Sequence, residues 1–543
     1  MPNLNVLMML ADKTGAIGIG ERIRALGGTI YGSKGTVSKL KEGNVDAIDI
    51  ATITGRGPIL DHKVVSLNGD LHAGCLATGD DELAELEQLG IRRLDIVYIN
   101  FYPLHAAINA ANATVESVVK AWDIGGPTML LSAAKGGRIP VTDPADMLRV
   151  LEQLETNGTI NDTFRQELIE KAVFTVLAYY APLCSFLSGG GYKVITGRRV
   201  SQHKKGENAW MGPYTVYTTD GGDPLSLPDH LIQEGGIDCS FVNYCDYERI
   251  LQVLTHIAAN FQANGWPMPY IAIAVKHGNP CGASFGRTAR EALENMINGD
   301  TRAIHGAVVI INFRLDTVCA ETLAYYNYTG PRKRILHSII APEIDGAAKE
   351  ILQGKEEKCR FLTHSGLAMI APFENLTADV LDRAERIHYI RGGFIAGSNY
   401  TKVFNVTNPN LVKEGADLSV DQQQTLAFGE AINMTSNSNC ATLVKDRMLI
   451  GNGVGQQDRV GGSELAVKRA TDAGHDTKGS LNIQDSFFPF PDGAERLIEA
   501  GVIMILATSG STISGKKVRQ VISEHGVTYW TLPDDEDRRF SNH

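Results

Sequence analysis

The residues with the clearest chemical potential in this chain are a lysine and a histidine that stand side by side, Lys276 and His277. They follow the apolar run 271–275 and precede the Gly- and Pro-containing stretch 278–282, which predicts a buried strand that ends in a turn. An imidazole titrates near neutral pH, and an adjacent ammonium group can stabilise developing negative charge. The alternative is a capped strand with two solvated polar residues, which is the commoner meaning of such a pair taken alone.

Alternating strands and helices are predicted for the N-terminal part of the chain. Residues 4–10 have the composition of a buried strand, a helical pattern through Ile19 and Ile23 follows, and the glycines 27–28 end it. Repeated strand–loop–helix units indicate an α/β fold with a parallel sheet. The loop 32–36 precedes a further helix, where backbone N–H groups favour a phosphate. Taken alone this is a weak signal, because such loops often serve only as caps.

A long helical pattern covers residues 145–185 and stops at the three glycines 189–191. With 543 residues the chain is too long for one ordinary core. We therefore expect two domains, residues 1–195 and residues 196–543.

Composition argues against several classes of function. The formal net charge is −11 and no run rich in Lys or Arg stands out, which disfavours a nucleic-acid partner. The first residues do not resemble a secretory signal, and no stretch of about 18 apolar residues occurs, so we expect no membrane span. The eight cysteines form no C-x-x-C pair, which favours reduced thiols in a cytoplasmic enzyme.

Motifs along nearly the whole chain resemble those of one enzyme family, AICAR transformylase/IMP cyclohydrolase. The matching segments are Asp12-Lys13-Thr14-Gly15, residues 33–36, Asn100-Phe101-Tyr102-Pro103, residues 123–130, Ala133-Ala134-Lys135, residues 276–282, residues 450–459 and residues 485–492. The resemblance implies an N-terminal methylglyoxal-synthase-like domain with a parallel sheet, followed by a transformylase region of two cytidine-deaminase-like α/β subdomains. It also implies formyl transfer from 10-formyltetrahydrofolate to the 5-amino group of AICAR in late purine biosynthesis.

For the cyclohydrolase-like site the resemblance implies Lys13, Ser33, Thr36, Lys63, Tyr102, Asp123 and Lys135. One segment departs from the family's pattern, because the family's catalytic lysine falls on Val65 and its phosphate-side arginine falls on Lys63. A valine can neither donate a proton nor stabilise an oxyanion. We therefore expect the cyclohydrolase activity to be weak or lost.

For the transformylase site the chemistry and the resemblance together assign three catalytic roles. His277 is the general base, Lys276 stabilises charge or relays a proton, and Asn439 orients the amine or the formyl carbonyl. The substrate-binding candidates are Lys204, Asn208, Gln456, Arg459, Arg538 and Phe540. The folate-binding candidates are Phe487, Pro489 and Asp492.

Several substrate-side positions differ from the family. The positions are Lys204, Lys205, Trp210, His305 and His337. An alternative function therefore stays open, that of a divergent relative which formylates or cyclises another AICAR-like ribonucleotide in nucleoside-analogue biosynthesis. A third interpretation is a non-catalytic nucleotide-binding regulator, and the retained Lys-His pair argues against it.

The sequence disfavours a zinc deaminase. Pro280-Cys281 is not followed by the second cysteine of the deaminase motif, and His72-Ala73-Gly74 lacks its glutamate. We expect no zinc, while a monovalent cation stays compatible with the resemblance. The expected partners are small-molecule nucleotide and folate substrates and a second copy of the chain in a homodimer, with no nucleic acid and no membrane.

Overall fold

The structure is a computed structural model that describes residues 4–55, 57, 59–60, 64–219, 221–353, 358–376, 378–510 and 512–542. The chain divides into two compact units, Met1–Thr196 and Gly197–His543. The division falls just after the glycine-rich stretch in which the sequence placed a domain boundary.

The first unit is an α/β unit. Its strands are β1 Asn5–Leu10, β2 Thr29–Gly32, β3 Ile48–Asp49, β4 Ile96–Asn100 and β5 Ile139–Val141. Its helices are α1 Ala16–Ala25, α2 Lys34–Glu42, α3 Ala51–Thr54, α4 Gly69–Leu76, α5 Asp80–Gln88, α6 Leu104–Ile108, α7 Val115–Ala121, α8 Gly125–Lys135, α9 Pro144–Asn157 and α10 Asp162–Leu187. The five strands form a parallel sheet in the order β3-β2-β1-β4-β5, which confirms the predicted fold class for this unit.

Both faces of the parallel sheet are buried. Val6 and Met8 of β1 belong to a hydrophobic cluster with α1, α2 and α9, whereas Leu7 packs on the opposite face with α4 and α8. This alternation explains why β1 is an almost unbroken apolar run. Because the strands are parallel, their carboxyl ends meet at one edge, where the loops after β1, β2 and β4 place polar side chains together.

The helical pattern over residues 145–185 is two helices rather than one. Helix α9 ends at Asn157, and Gly158 has a φ of 70°, a conformation that glycine adopts far more readily than other residues. Asn161 then caps α10, since its side chain accepts a hydrogen bond of 2.7 Å from the Phe164 amide. The apolar residues keep a helical spacing across this break, so the sequence pattern did not reveal that α9 ends before α10 begins.

Helix α10 is, among the described residues, the one helix long and apolar enough to cross a membrane, with a mean hydropathy of 1.2 in its most apolar window. Its buried residues Phe164, Leu168, Ala172 and Val176 recur at every fourth position. That spacing is typical of a helix with one face on a protein core. One such helix is weak evidence for a membrane, and the expectation of no membrane stays a prediction.

The second unit is larger and mixed. Its strands are β6 Arg198–His203, β7 Tyr214–Thr218, β8 Leu231–Gly235, β9 Tyr270–Lys276, β10 Asn279–Gly286, β11 Val308–Ile311, β12 Ser338–Ala341, β13 Arg360–His364, β14 Arg386–Ile390, β15 Gly393–Gly397, β16 Val412–Glu414, β17 Ala441–Lys445, β18 Met448–Gly453, β19 Leu481–Gln484, β20 Met504–Thr508 and β21 Thr528–Leu532. Its helices are α11 Leu227–His230, α12 Phe241–Ala263, α13 Ala289–Gly299, α14 Thr317–Tyr325, α15 Gly346–Leu352, α16 Val420–Thr435, α17 Arg459–Asp472, α18 Asp492–Glu499, α19 Thr512–Glu524 and α20 Asp534–Asp537, with a 3₁₀ helix at Ser365–Ile370.

Twelve of these strands form one sheet in which a pattern occurs twice. The order is β16-β21-β20-β19-β17-β18-β10-β9-β11-β12-β13-β8. Each half begins at the centre with a hairpin, β17–β18 or β9–β10. The next strand, β19 or β11, is antiparallel to the hairpin. Two strands parallel to it follow, β20 and β21 or β12 and β13, and the edge strand, β16 or β8, is antiparallel again. The halves join where Ser284 of β10 lies opposite Met448 of β18. The second unit is thus built from two topologically equivalent α/β halves.

The turn after the apolar run 271–275 is shorter than the sequence indicated. The stretch 278–282 predicts a loop, but β10 already begins at Asn279 and runs antiparallel to β9. The turn consists of His277 and Gly278 alone. The proline that suggested a loop sits instead at a register irregularity in β10, where a strand tolerates a residue without an N–H group.

Candidate functional site

The candidate site is organised around the two-residue turn that joins β9 to β10. His277 and Gly278 have φ values of 49° and 72°. Positive φ at both central positions is the geometry of a type I′ hairpin turn, which Asn and Gly favour and which costs another L-residue about 1–2 kcal/mol. The imidazole of His277 is exposed beside Lys276, the last residue of β9. Residues held in such a conformation by their surroundings are concentrated at functional sites.

Asp246 on α12 holds this turn in place. Its Oδ1 accepts a hydrogen bond of 2.7 Å from the Gly278 amide, and the residue is buried. Burial raises the pKa of Asp246, while the Gly278 amide and the charges of His277 and Arg249 act in the opposite direction. The carboxylate therefore both fixes the backbone of the turn and faces the imidazole as a counter-charge.

The loop between α16 and β17, which carries Asn439, reaches the same place. The Asn437 amide donates to Oδ1 of Asn279 at 3.3 Å, and the Asn452 side chain donates to the Pro280 carbonyl at 3.3 Å. These two hydrogen bonds tie the loop and β18 to the start of β10. The structure thus brings the loop that carries Asn439 next to the start of β10, directly after the turn that carries the Lys-His pair.

Arg459, predicted to bind substrate, is directed at Asn439. Its Nη2 donates to Oδ1 of Asn439 at 2.9 Å, and its Nη1 donates to the buried carboxylate of Asp485. Asp485 also accepts hydrogen bonds from the Ser438 hydroxyl at 2.6 Å and from the Cys440 amide at 2.9 Å. One carboxylate therefore fixes both neighbours of Asn439 and the arginine that orients its side chain.

Gln456 belongs to the same network through its backbone. Its carbonyl accepts a hydrogen bond of 3.0 Å from the Asn439 side chain, while its own side chain donates to the Val454 carbonyl at 2.9 Å. The glycines before it serve packing, because a Cβ on Gly451 or Gly453 would lie 2.2 or 2.1 Å from a carbonyl of α17. They let this helix lie close on β18.

The C-terminal tail brings Arg538 and Phe540 next to the Asn439 loop. The Ser541 carbonyl accepts a hydrogen bond of 3.3 Å from the Ser438 amide. Arg538 pairs with Asp534 at 3.0 Å and lies over the Phe540 ring, 5.3 Å from its centroid. Both side chains remain exposed, so a ligand at this loop has access to them.

The predicted folate residues follow directly on Asp485. Phe487 is half-buried and packs on Gly510, where an added Cβ would meet its ring at 2.6 Å. Pro489 and Asp492 are exposed, and Asp492 begins α18. All three therefore lie on the chain segment that directly follows Asp485, the buried carboxylate of the site.

Lys204 and Asn208 lie on an exposed loop after β6. The loop is fastened to the start of α12, where the Phe241 amide donates to the Lys205 carbonyl at 3.2 Å. Asp246 lies less than two turns further along the same helix. The loop and the turn are therefore both attached near the N-terminal end of α12, and the side chains of Lys204 and Asn208 are exposed.

The first unit collects five of its predicted residues at the carboxyl edge of its sheet. They are Lys13 after β1, Ser33 and Thr36 after β2, and Tyr102 and Asp123 after β4. The hydroxyls of Ser33 and Thr36 are 3.1 Å apart, and Thr36 also accepts a hydrogen bond of 3.0 Å from the Leu10 amide. Burial raises the pKa of Asp123, and the Gly126 and Gly125 amides oppose the rise.

Asn100, which the sequence analysis did not assign, organises this edge. Its side chain accepts hydrogen bonds from the Ala11 and Asp12 amides at 2.6 and 3.0 Å and donates to the Asp12 carbonyl at 2.8 Å. A cavity of about 460 Å³ lies beside it, with Lys13 and Lys39 among its lining residues. Asp12 lines the same cavity, and the Lys39 ammonium pairs with Glu42 at 2.7 Å.

The remaining residues discussed for this site are Lys63, Lys135 and Val65. Lys63 lies outside the described residues. Lys135 is the exposed last residue of α8, which starts near Asp123 and runs about 15 Å along its axis towards β5, so Lys135 points to the opposite end of the unit. Val65 packs against an apolar cluster of the sheet and offers no polar group.

Asp246, Asp485 and Asn437 are the site residues that sequence reasoning missed. Each acts on backbone groups or on another side chain, so no motif of catalytic residue types singles it out. The available signal was weak: Asp485 opens a segment that resembles the family, and Asp246 stands three positions before Arg249, a spacing that places two residues on one face of a helix.

Metal ligation was also assessed over the ranges that the structure describes. Within them no group of three or more His, Cys, Asp or Glu side chains is arranged to hold a metal ion, and all eight cysteines are free thiols. The expectation of no zinc stays a prediction.

Replacement of Asp246 tests its support of the turn. Asp246→Ala is expected to lower the free energy of unfolding by about 1–3 kcal/mol, because the Gly278 amide loses its acceptor, whereas Asp246→Asn keeps an acceptor and most of the stability. Urea denaturation at neutral pH measures both, with the exposed Asp535→Ala as control. Equal stabilities of the Ala and Asn variants would contradict this role.

Comparison with known proteins shows the family of this chain. A family model described as the AICARFT/IMPCHase bienzyme matches residues 138–469, more than half of the chain. The bifunctional purine biosynthesis protein PurH of Rhodopirellula baltica is 29% identical over 522 residues, which cover 94% of this chain and 94% of that protein. The protein of the same name from Bacillus subtilis is 27% identical over 534 residues, with 96% of each chain covered.

Among solved structures, one described as the crystal structure of ForH is 28% identical and covers 34% of this chain and 98% of its own. Its TM-score of 0.30 is too low to support a structural argument. The family match stands without it, since it spans the centre of the chain from the residue before β5 into α17. This chain belongs to the AICARFT/IMPCHase bienzyme family.

Proposed function

We propose that this chain transfers a formyl group from 10-formyltetrahydrofolate to the 5-amino group of AICAR, in late purine biosynthesis. The observation that carries the proposal is a pair of hydrogen bonds at the start of β10, directly after the Lys276–His277 turn. Asn279 accepts one from the loop of Asn439, and the Pro280 carbonyl accepts the other from Asn452. These bonds unite a base, a cation and an amide from distant parts of the sequence. The names of the PurH relatives support the same reaction.

The reaction needs a base because the AICAR amine delocalises its lone pair into the ring. His277 takes the proton of the amine as it attacks the formyl carbon. Lys276 stabilises the negative charge that develops on the formyl oxygen, or passes a proton to the leaving folate nitrogen. Asn439, held through its Oδ1 by Arg459, orients the reacting groups with its remaining N–H.

The binding roles divide between the nucleotide and the folate. Arg459 and Gln456 act through Asn439, as their contacts with it indicate. The exposed groups left for the nucleotide are Lys204, Asn208, Arg538 and Phe540, and those for the pteridine are Phe487, Pro489 and Asp492. A resident monovalent cation is compatible with this arrangement and forms no part of it.

Replacement of the proposed base separates chemistry from folding. His277→Asn is expected to lower kcat for formyl transfer at least about 100-fold. The free energy of unfolding should stay unchanged or rise by up to about 1 kcal/mol, because Asn adopts a positive φ more readily than His. Tetrahydrofolate release and urea denaturation measure the two effects.

His525→Asn, which replaces an exposed histidine in the turn between α19 and β21, is the matched control and should keep full activity. Full formyl transfer by the His277→Asn protein would show that another group is the base.

We further infer that the first unit has kept its fold while its cyclohydrolase activity is weak or lost. Its carboxyl edge still gathers Lys13, Ser33, Thr36 and Asp123, but Val65 stands in an apolar environment where the family has its catalytic lysine. Ring closure is intrinsically easy once the formyl and amide groups lie together, so a slow rate is compatible with this inference.

Addition of formyl-AICAR to the purified protein tests whether the cyclohydrolase activity is weak or lost. IMP should form slowly with the native protein and at least about tenfold faster with Val65→Lys, because a cation returns to the site. Leu67→Lys, which adds the same charge on the same loop, should not raise the rate. A native rate equal to that of the Bacillus subtilis PurH protein would contradict the inference.

The finer fold assignment is part of the proposal. We infer that the five-stranded sheet is the methylglyoxal-synthase-like domain, residues 1–195, and that the two equivalent halves of the twelve-stranded sheet are the cytidine-deaminase-like subdomains of the transformylase region, residues 196–543. The repeated order of strands supports the second assignment. The location is proposed to be cytoplasmic, in keeping with free thiols.

We propose a homodimer for the active form. The hairpin β14–β15 exposes several large apolar side chains: Ile387, Tyr389, Ile390, Phe394 and Ile395. An isolated two-stranded hairpin is only marginally stable in water, and a contiguous exposed apolar patch marks an interaction site. The family resemblance implies a homodimer, so a second copy of the chain is the occupant that we propose for this hairpin.

Sedimentation velocity tests the dimer. The native protein should sediment as a dimer at micromolar concentration, and the double variant Tyr389→Ser/Phe394→Ser should shift to monomer. Tyr192→Ser, an equally exposed tyrosine outside the hairpin, is the control. A native monomer, or a double variant that stays dimeric, would contradict the role of the hairpin.

The second candidate function is formyl transfer to another AICAR-like ribonucleotide. The altered positions Lys204, Lys205, Trp210, His305 and His337 favour it, and Trp210 is 84% exposed on the loop that meets the catalytic turn. The formyl-transfer assay separates the candidates. Turnover of AICAR supports the first function, whereas folate binding without AICAR turnover supports the second.

A further inference from the structure

A serine, a histidine and an aspartate that the candidate site does not use are connected in series by hydrogen bonds. Ser201 and His203 lie on β6, and Asp238 follows β8. Oγ of Ser201 is 2.8 Å from Nε2 of His203, and Nδ1 of the same ring is 2.7 Å from Oδ1 of Asp238. These are the atom pairs of a Ser-His-Asp triad, which is recognised by its geometry and not by the order of its residues in the sequence.

The local structure of β6 places the hydroxyl beside the ring. Ser201 and His203 are two positions apart on the strand, so their side chains share a face. Arg199 and Ser201 pair with consecutive residues of β7, which leaves Val200 as an extra residue, as in a β-bulge. Bulges of this kind re-aim side chains and are frequent next to active sites. The plane of the His203 ring is held by stacking on Tyr214, with centroids 5.0 Å apart and planes inclined by 15°.

Asp238 sets the protonation pattern of the ring. Its carboxylate accepts hydrogen bonds from the His203 ring and from the Lys204 and Cys239 amides. Burial acts to raise the pKa of Asp238, but these hydrogen bonds outweigh it and lower the pKa. A charged carboxylate at Nδ1 favours a proton on that nitrogen, which leaves Nε2 as the acceptor for the Ser201 hydroxyl. The imidazole is therefore arranged as the base that takes the serine proton.

Tyr244 connects Ser201 to a cavity. Burial raises the pKa of the Tyr244 phenol, and a hydrogen bond with the Ser201 hydroxyl acts in the opposite direction. The phenol therefore stays neutral at neutral pH and can donate to an oxyanion that forms next to Ser201. Tyr244 also lines a cavity of about 720 Å³, and Ser201 is partly exposed. A ligand in the cavity can thus reach the serine beside the phenol.

The titratable groups that line this cavity are mainly carboxylates: Asp223, Asp229, Glu248, Asp379 and Asp382. Burial, with a further contribution from the charge of Asp382, raises the pKa of Glu248, as expected where negative charges are crowded. Of the basic groups in the lining, Arg383 is paired with Asp379, and burial lowers the pKa of His256. The cavity therefore favours a ligand that carries a positive charge.

We propose that Ser201, His203 and Asp238 form a hydrolytic triad that cleaves a carboxylic ester carrying a positive charge. Oγ of Ser201 attacks the ester carbonyl carbon, Nε2 of His203 takes the hydroxyl proton, and the Tyr244 hydroxyl stabilises the oxyanion. The bond to the alcohol oxygen then breaks as His203 returns the proton to that oxygen. Water attacks the acyl-serine with the help of the same base, which releases the acid and restores the Ser201 hydroxyl.

Asp238 is a positioning residue, because it contacts the imidazole and not the ester. The hydrolysis uses water alone as co-reactant. It does not rest on the proposed formyl transfer, and it can be tested on the full-length protein without any folate.

A fluorophosphonate probe tests the nucleophile, because an activated serine forms a phosphonyl ester with it and releases fluoride. Mass spectrometry of the labelled native protein should place the probe on Ser201. Ser201→Ala should abolish the labelling, and His203→Gln should slow it at least about 100-fold. Ser226→Ala is the matched control, since this serine lines the same cavity but donates to Asp229 instead of a histidine, and it should be labelled at the native rate.

Ser201 is partly exposed, so the Ser201→Ala protein should keep the native thermal unfolding temperature. A native protein that stays unlabelled, or a Ser201→Ala protein that is labelled at the native rate, would overturn the triad.

The role of Asp238 is tested by steady-state hydrolysis of a p-nitrophenyl ester. Asp238→Asn should lower kcat at least about tenfold and leave KM unchanged, because a neutral amide no longer favours the proton on Nδ1 of His203. A purely structural role would not separate kcat from KM in this way. An unchanged kcat would overturn the assignment of Asp238.

Two esters of similar size test the charge of the substrate. The p-nitrophenyl ester of trimethylammoniobutyrate should be hydrolysed with a kcat/KM at least about tenfold higher than the p-nitrophenyl monoester of glutarate, because the cavity carries carboxylates. Glu248→Gln/Asp382→Asn should reduce this preference, whereas Ser226→Ala should retain it. Equal kcat/KM values for the two esters with the native protein would overturn the proposed substrate class.

Discussion

The left-handed turn of His277 and Gly278 is the constraint on which the candidate site depends. An L-residue at this φ has an intrinsic cost of about 1–2 kcal/mol, so the surroundings must supply the compensation. They do so through Asp246, which binds the turn amide, and through Asn279, which binds the opposite loop. The result is an imidazole at the end of a buried strand whose position is fixed relative to Asn439.

Asp485 is the second anchor, and it shows how a buried charge can be tolerated. Its oxygens accept hydrogen bonds from a hydroxyl, an amide and the guanidinium of Arg459. Buried ion pairs of this kind add little net stability, but their hydrogen bonds fix the geometry of their neighbours. Arg459 therefore donates a hydrogen bond to Asn439, whereas the sequence analysis predicts that it binds the substrate.

The two units have diverged in different ways. In the first, the polar edge of the parallel sheet is intact, yet the position of the expected lysine is filled by Val65, which packs with apolar neighbours. In the second, the groups suited to proton transfer are retained, while imidazoles at positions 305 and 337 stand on the neighbouring edge.

The sequence by itself determined the α/β class, the strands β1 and β9 and the residue types available for catalysis. Those features follow from local composition and period, which report whether a single element is buried. Only the tertiary structure decided that residues 279–282 are strand rather than loop, that Lys135 lies away from Asp123, and that two loops distant in sequence meet at His277. The reason is physical: strand pairing and hydrogen bonds between loops depend on topology, and no local pattern encodes which distant partner a residue will meet.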